Sequence, residues 1–230
     1  MIPELWMFTE DSELWANSDN ATDLWSLCTN LGQEEATRRI TKHRDTWFTE
    51  ESFALMASEG VNHVRLPMGY WDMIETAPYV FGGAEYIDKA IGWAYKYGMS
   101  VMIDLHGAPG SQNGNDHSGH SGEINWDTPE NIAETVTVLG MMAERWANVP
   151  GVWGFELMNE PHWSLSHEVL TDFYRNAYVE IRKYSADTNI VMNSLYGPHD
   201  WTAGVMPEPQ YRNVFLDLHL YTVWSGFSNA

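Results

Sequence analysis

The feature that most restricts the fold of this 230-residue chain is a repeated alternation of short apolar segments with longer segments of helical periodicity. Strands that alternate with helices through short connections form parallel βα units. The predicted fold class is therefore α/β, with a parallel sheet. The predicted strands are Val61–Pro67, Ser100–His106, a segment ending at Glu160, Asn189–Leu195 and Val214–Tyr221.

The predicted helices begin at capping residues and end at glycines. Thr49 precedes two acidic residues and Thr128 precedes proline, and both arrangements mark a helix start. Gly60 and Gly98 mark helix ends. Residues 1–32 lack periodicity and are predicted to form loop with short helical turns. The predicted helices are Gln33–His43, one after Thr49, one after Gly82-Gly83, one from Pro129, and one from about Ser166 to Tyr184.

Polar side chains recur where the predicted strands end. A doubly wound sheet concentrates its site at one switch point, whereas a barrel draws polar residues from many strand ends. The pattern therefore favours a (β/α)₈ barrel, although about five strands cannot close one. These strand-end residues are Arg65, His106, Asn159 with Glu160, and His219 with Tyr221.

The net charge limits the partners of the protein. The chain carries 32 acidic and 12 basic residues, a formal charge of −20, which would repel nucleic acid and anionic membrane. The 12 Trp and 11 Tyr either pack the core or stack on sugar rings, and both interpretations stay open. With Cys28 as the single cysteine, no intrachain disulfide is possible. Neither a membrane span nor a signal peptide is predicted in this chain.

The strand-end residues suit the cleavage of a glycosidic bond. That reaction needs a carboxylic acid to protonate the leaving oxygen and a second carboxylate as nucleophile or base. Glu160 is assigned the acid/base role, and Asn159 is predicted to bind the sugar 2-hydroxyl. Arg65 would keep the pKa of a nearby carboxylate low and is placed beside the nucleophile. The side chains of His106, His219 and Tyr221 would bind sugar hydroxyls or the nucleophile.

The histidines also allow a different hypothesis, namely that the protein is a metal-dependent hydrolase. His117, His120 and Glu123 form a His-x-x-His-x-x-Glu pattern, and strand-end histidines can also bind metal. Loop histidines among glycines are more often solvent-exposed, so no metal and no cofactor is predicted. Asp104, Glu156 and Asp217 are expected inside the barrel and not at its mouth.

Asp104–Gly114 resembles the signature of the exo-β-1,3-glucanases of glycoside hydrolase family 5, the fungal-type glucan 1,3-β-glucosidases. The resemblance extends through His63–Pro67, Gly69-Tyr70-Trp71, Asn159-Glu160-Pro161 and His219-Leu220-Tyr221 and covers nearly the whole chain. It implies a (β/α)₈ barrel that hydrolyses β-glucan with retention and needs no metal.

The resemblance also implies roles for individual residues and a setting for the protein. Glu160 matches the acid/base, and Arg65, His106, Asn159, His219 and Tyr221 match the residues around the sugar at the cleavage point. Glu4 and Asp116 resemble residues that hold the terminal glucose, and Trp6 and Trp224 fall where aromatics line the substrate path. The expected partner is β-glucan, the expected location is extracellular or cell-wall associated, and a complete form is expected to be monomeric.

Compared with that family, the chain is expected to be incomplete at both ends. The family's nucleophilic Glu lies on the seventh strand, and this chain stops at Ala230, just after the sixth. Residues 1–230 are therefore predicted to form a single, incomplete catalytic domain with about strands 2 to 6. We expect the isolated chain to fold poorly and to hydrolyse no glucan. The alternatives are a non-catalytic glucan-binding protein and a metal-dependent barrel hydrolase.

Overall fold

Five parallel strands form one sheet in the sequence order β1-β2-β3-β4-β5. The computed structural model describes residues 12–194 and 205–219. The strands are β1 (His63–Gly69), β2 (Ser100–Gly107), β3 (Val152–Glu156), β4 (Asn189–Asn193) and β5 (Val214–Asp217). Consecutive parallel strands in this order make up the wall of a partial (β/α)₈ barrel, and the predicted α/β class is confirmed.

Helices connect the strands and cover one face of the sheet. They are α1 (Ser12–Trp15), α2 (Leu24–Thr46), α3 (Glu50–Ser58), α4 (Ala84–Lys96), α5 (Pro129–Trp146) and α6 (His167–Ile181). Thr49, Thr128 and Ser166 are the N-cap residues of α3, α5 and α6, as their sequences indicate. No helix in these described ranges is long and apolar enough to cross a membrane.

The first helix boundary predicted from the sequence was wrong. Residues 24–31, predicted as loop, are the first part of α2, which kinks at Gly32 where φ is +74°. Asp23 caps this helix by accepting a 2.7 Å hydrogen bond from the backbone N–H of Ser26. The apolar residues that pack inward follow helical spacing: Leu24, Leu27 and Cys28.

The register places apolar and polar side chains on opposite faces of the sheet. Pro67 pairs with Asp104, and Asp104 pairs with Glu156, so these three positions share one face. The alternate residues Val101, Ile103 and Leu105 are wholly buried in the main core. Because strand side chains alternate, one face packs against helices and the other, the inner face, carries the functional groups.

Two strands end earlier than the sequence indicated. β3 ends at Glu156 and not at Glu160, although the backbone N–H groups of Leu157 and Asn159 still donate to the neighbouring strands. β5 ends at Asp217, and the rest of its predicted span includes Tyr221, which lies outside the described residues. Both segments continue into loops at the carboxyl end of the sheet, where parallel barrels place their chemistry.

Candidate active site

A buried ion-pair cluster occupies the inner face. The guanidinium of Arg65 lies 2.6 Å from Glu156 Oε2 and 3.1 Å from Asp104 Oδ2. It also donates a 2.7 Å hydrogen bond to Asn159 Oδ1. Asp104 and Glu156 are fully buried, as predicted, so their charges depend on Arg65 for compensation.

This environment changes the pKa values of the cluster. Burial, aided by the charge of Asp104, raises the pKa of Glu156 to about 7, although Arg65 opposes the change. Burial alone would lower the pKa of Arg65, but the carboxylates of Asp104 and Glu156 outweigh it and raise that pKa. The guanidinium therefore stays charged, and it orients the Asn159 amide with one of its N–H groups.

His106 is fixed by the same cluster. Its Nδ1 lies 2.6 Å from Asp104 Oδ2, and its Nε2 lies 3.4 Å from the amide nitrogen of Asn159. A carboxylate at one ring nitrogen sets the orientation of the imidazole and leaves the other nitrogen directed at the site. The histidine is buried, so its position is determined by packing as well as by this bond.

Glu160 stands at the end of this network in an unusual backbone conformation. Its φ is +41°, in the left-handed region that costs a residue with a side chain about 1–2 kcal/mol. Before it, the backbone N–H groups of Leu157 and Asn159 donate to Val191 and Leu105 at 3.0 Å each. The chain thus stays tied to both neighbouring strands up to Asn159 and turns sharply at Glu160.

The Glu160 carboxylate lies between two imidazole rings. Oε1 is 2.5 Å from His219 Nδ1, and Oε2 is 3.4 Å from His117 Nε2. The carboxylate is half-buried, in contrast to Asp104 and Glu156. Glu160 therefore combines hydrogen-bond partners with access from outside, which the wholly buried Asp104 and Glu156 do not.

His219 links Glu160 to the edge of the sheet. Its Nε2 lies 3.1 Å from Asp217 Oδ2 and 3.2 Å from the amide nitrogen of Asn193. The hydrogen bond with Glu160 raises the pKa of His219, and the charge of Asp217 adds to this effect. An imidazole held between two carboxylates favours its protonated form.

The loop after β2 forms one wall of the site. It contains the histidines of the possible metal-binding pattern. His117 faces Glu160, whereas the His120 ring stacks on Trp25 with ring centroids 4.5 Å apart. The two histidines have different partners, so the His-x-x-His-x-x-Glu pattern does not converge. Asp116 begins the short 3₁₀ helix Asp116–Ser118 that carries His117.

A second group has the residue types of a metal site. Ligand atoms of Glu156, Asp217 and His219 lie within 4.8 Å of one another. Glu156 is already paired with Arg65 and bonded to Asn193 at 3.3 Å, and Asp217 and His219 pair with each other. These mutual bonds indicate an ion-pair network and not a metal-binding site.

Most of the predicted site residues that the structure describes come together. Arg65, His106, Asn159, Glu160 and His219 form one connected cluster, and Asp116 lies in its wall. Asn193, a polar residue at the end of β4, was not among the residues predicted from the sequence. Neither Gln112 nor Asn113 was assigned a role. Four predicted residues lie outside the described ranges: Glu4, Trp6, Tyr221 and Trp224.

The arrangement can transfer a proton at the mouth of the partial barrel. Glu160 is accessible, Asn159 next to it presents an amide, and His106, His117 and His219 can donate to or accept from hydroxyl groups. Groups of this kind suit a neutral, hydroxyl-rich ligand. The wholly buried carboxylates, by contrast, serve to hold Arg65 and His106.

Comparison with known proteins gives one consistent family. Residues 28–230 match the family model described as Cellulase (glycosyl hydrolase family 5). A glucan 1,3-beta-glucosidase of Blumeria graminis is 40% identical over 228 residues, covering 97% of this chain and 54% of that protein. A probable glucan 1,3-beta-glucosidase A of Aspergillus niger is 36% identical, covering 95% of this chain and 54% of that protein. The chain thus spans about half the length of the curated relatives it matches.

Solved structures show the same fold at lower sequence identity. The rutinosidase from Aspergillus niger superposes with a TM-score of 0.82 at 22% identity, covering 91% of this chain and 64% of that one. The endoglucanase Cel5A from Thermotoga maritima gives a TM-score of 0.60 at 20% identity, covering 76% of this chain and 54% of that one. Identities this low support the barrel architecture alone.

Proposed function

The chain belongs to glycosyl hydrolase family 5. We propose that its site provides Glu160 as the acid/base for the retaining hydrolysis of β-1,3-glucan, which releases glucose, and that the 230-residue chain alone is inactive because the nucleophilic Glu of the family's seventh strand is not among its residues. The observation that carries this proposal is the place of the Glu160 carboxylate. It is accessible at the carboxyl end of the parallel sheet and lies directly after Asn159, whose amide is held by Arg65. A carboxylic acid that is accessible in this way can donate the proton that the glycosidic oxygen needs on cleavage.

The other residues receive roles from their contacts. Asn159 accepts from Arg65 through Oδ1, so its amide nitrogen is the donor; that nitrogen lies 3.4 Å from His106 Nε2 and from His117 Nδ1, and the sugar 2-hydroxyl is the proposed acceptor in the bound state. His106 and His219 bind sugar hydroxyls or the second carboxylate. Asp116 is proposed to hold the terminal sugar. The same roles as in the family resemblance are proposed for four further residues: Glu4, Trp6, Tyr221 and Trp224.

The wider setting is proposed on the same basis. Residues 1–230 belong to one catalytic domain whose partner is a β-glucan polysaccharide or oligosaccharide. The relatives named above are glucan 1,3-beta-glucosidases, and the charge of −20 suits a neutral partner better than an anionic one. We propose an extracellular or cell-wall location and a monomeric form.

The test is glucose release from laminarin, which we expect from the protein encoded by the complete transcript and not from the 230-residue chain alone. Removing the acid group with Glu160→Gln should lower kcat/KM about 10²–10⁴-fold. Glu144→Gln, which neutralises an exposed carboxylate on α5, is the matched control and should leave the rate unchanged. NMR of the first product should show the β-anomer of glucose.

Two further measurements separate the possible roles of Glu160. In Glu160→Ala, azide should restore turnover of an aryl β-glucoside whose leaving group departs without protonation, and should yield the β-glucosyl azide, because azide attacks the covalent intermediate that forms without the acid. The α-glucosyl azide would instead assign Glu160 as the nucleophile. A 2-fluoroglucoside that traps the nucleophile should label a carboxylate other than Glu160.

A non-catalytic glucan-binding protein is the alternative outcome of these experiments. Binding of laminarin by well-folded protein without turnover, in the 230-residue chain and in the complete protein alike, would reject the hydrolase proposal. Calorimetric titration with laminarin measures this binding directly. Loss of activity on adding a chelator would favour the metal-dependent alternative.

A further inference from the structure

We propose that Gln112 and Asn113 are positioning residues that hold Glu160 in its left-handed backbone conformation and so aim its carboxylate at His219. The catalytic meaning of this inference rests on the proposed function. The geometry that supports it does not, because it concerns only how two side chains grip the backbone at the end of β3.

The backbone at Glu160 needs support from outside its own segment. A φ of +41° is unfavourable for a residue with a side chain, and Pro161 follows directly. The ladder contacts to the neighbouring strands stop at Asn159, one residue before the turn. Strained conformations of this kind persist where surrounding contacts determine them more strongly than the local preference.

Gln112 supplies the first of these contacts. Its amide nitrogen donates to the backbone carbonyl of Asn159 at 2.9 Å and to that of His106 at 2.7 Å. Its amide oxygen accepts from the backbone N–H of Ala108 at 3.0 Å. The side chain is fully buried, so this single amide bridges the ends of β2 and β3 with three well-formed hydrogen bonds.

Asn113 binds the backbone of Glu160, the residue after Asn159. Its amide nitrogen donates to the backbone carbonyl of Glu160 at 2.9 Å, across 47 positions of sequence. Its amide oxygen accepts from the backbone N–H of Asn115 at 2.9 Å, which closes a local turn and fixes the side chain. Consecutive side chains of one loop thus hold the consecutive carbonyls of Asn159 and Glu160.

The loop that carries Gln112 and Asn113 is held by further hydrogen bonds. Ser111 Oγ lies 2.7 Å from Ser118 Oγ and accepts from the backbone N–H of Gly114 at 3.0 Å. On the far side of Glu160, the backbone N–H of His162 donates to the carbonyl of Gln112 at 3.0 Å. The turn is therefore held before, at and after Glu160 by the same short segment.

Loss of the hydrogen bonds to the backbone at Asn159 and Glu160 should change the pKa of His219 even without substrate. The Glu160 hydrogen bond is the largest cause that raises the pKa of His219, so a released Glu160 lets that pKa fall. NMR titration of histidine-labelled protein follows this value, with the His219 signal identified by its loss in His219→Gln. Glu160→Gln gives the lower reference, since it removes the charge of the partner.

The informative variant is Asn113→Ser. A serine hydroxyl can still accept from the N–H of residue 115 and keep the local turn, but it cannot reach the carbonyl of Glu160. Asn113→Ala removes both bonds. The matched control is Asn148→Ala, which deletes an exposed amide-to-carbonyl bond of 3.0 Å to Tyr184, outside the loop after β2.

The expected result is that both Asn113 variants move the His219 midpoint most of the way to the Glu160→Gln value, while Asn148→Ala stays at the wild-type midpoint. An Asn113→Ser protein that folds and keeps the wild-type midpoint would overturn the inference. If Asn113→Ala does not fold, Asn113→Ser decides the matter, because its local turn is intact.

The activity of the protein gives a separate readout. If the complete protein hydrolyses laminarin, Asn113→Ser should lower kcat about 10-fold or more with little change in KM, because binding groups stay in place while the acid is misaimed. If the complete protein lacks activity, the proposed function fails, whereas the His219 titration still tests the positioning role.

Discussion

The centre of the sheet and its β5 edge support their functional groups in different ways. Along β2, Val101, Ile103, Asp104 and Leu105 have no exposed surface, and a strand lies on each side. β5 is four residues long, none of which is fully buried, and β4 is its strand partner in the described part of the sheet. The central strands are thus fixed by packing, and the β5 edge depends far more on individual polar contacts.

The candidate site spans both regions. His106 and Asn159 are buried and are held by the Arg65–Asp104–Glu156 cluster. His219 lies two residues beyond β5 and is positioned by Glu160, Asp217 and Asn193. The positions of His106 and Asn159 should therefore be determined by burial as well as by hydrogen bonds, whereas the position of His219 should change with the charges around it.

The largest difference is expected between two phenylalanines. Phe155 on β3 is fully buried, whereas Phe215 on β5 is 46% exposed. Phe155→Ala should lower the free energy of unfolding by about 3–5 kcal/mol, because it leaves a cavity in the packed core. Phe215→Ala should cost about 1–1.5 kcal/mol, since only about half of its side chain is buried.

Chemical denaturation followed by tryptophan fluorescence measures both values. Similar losses in the two variants would contradict the distinction between centre and edge, and would mean that β5 is packed as firmly as β3. A large loss for Phe215→Ala would locate the cause in its contact with Trp153, where the ring centroids are 5.2 Å apart.

A second prediction concerns how stability changes with pH. The pKa of Glu156 rises from its usual 4.5 to about 7 on folding. The folded protein therefore binds an extra proton between these values, and its free energy of unfolding should fall as pH rises through that interval. The limit for one proton is about 1.4 kcal/mol per pH unit.

His219 acts in the same direction. Its pKa is raised above the usual 6.5, so its contribution is present below that value and is lost as pH rises through the folded-state pKa. Glu156→Gln should remove the part of the slope below about pH 7, and the exposed control Glu144→Gln should keep it. Urea titrations at several pH values measure the slope, and a Glu156→Gln protein with the wild-type slope would contradict this assignment.

Sequence patterns were sufficient for most of the sheet and helices because the signals are local. The capping residues Thr49, Thr128 and Ser166 mark the starts of three helices. The second part of α2 agrees with the predicted helix Gln33–His43, but the first part was missed although it also has local signals, namely the Asp23 cap and the spacing of Leu24, Leu27 and Cys28. The prediction of loop with short turns for these residues overlooked this helical spacing.

The site residues divide in a similar way. Arg65, His106, Asn159 and Glu160 could be predicted because polar residues at parallel strand ends share one edge of the sheet. Gln112 and Asn113 could not be given a role, because their bonds to the carbonyls of Asn159 and Glu160 span 47 positions and depend on the loop conformation. The end of β3 at Glu156 likewise depends on strand register, which an apolar run does not define.

The smallest expected effect separates the two carboxylates that contact His219. Glu160 forms the 2.5 Å bond to Nδ1, whereas Asp217 lies 3.1 Å from Nε2. Asp217→Asn removes the charge of Asp217 and keeps an oxygen that can accept a hydrogen bond. The pKa of His219 should fall, but by less than in Glu160→Gln, because the Glu160 bond is the larger cause of its rise.

The control for this measurement is Asp187→Asn, which removes an exposed charge before β4 and should leave the His219 midpoint unchanged. Histidine NMR titration compares the three variants under one salt condition, since screening weakens the effect of exposed charges. An equal fall in Asp217→Asn and Glu160→Gln would show that the edge strand governs His219 as strongly as Glu160 does. In that case β5 would be a determinant of the site's protonation, and the contrast between centre and edge would apply to packing alone.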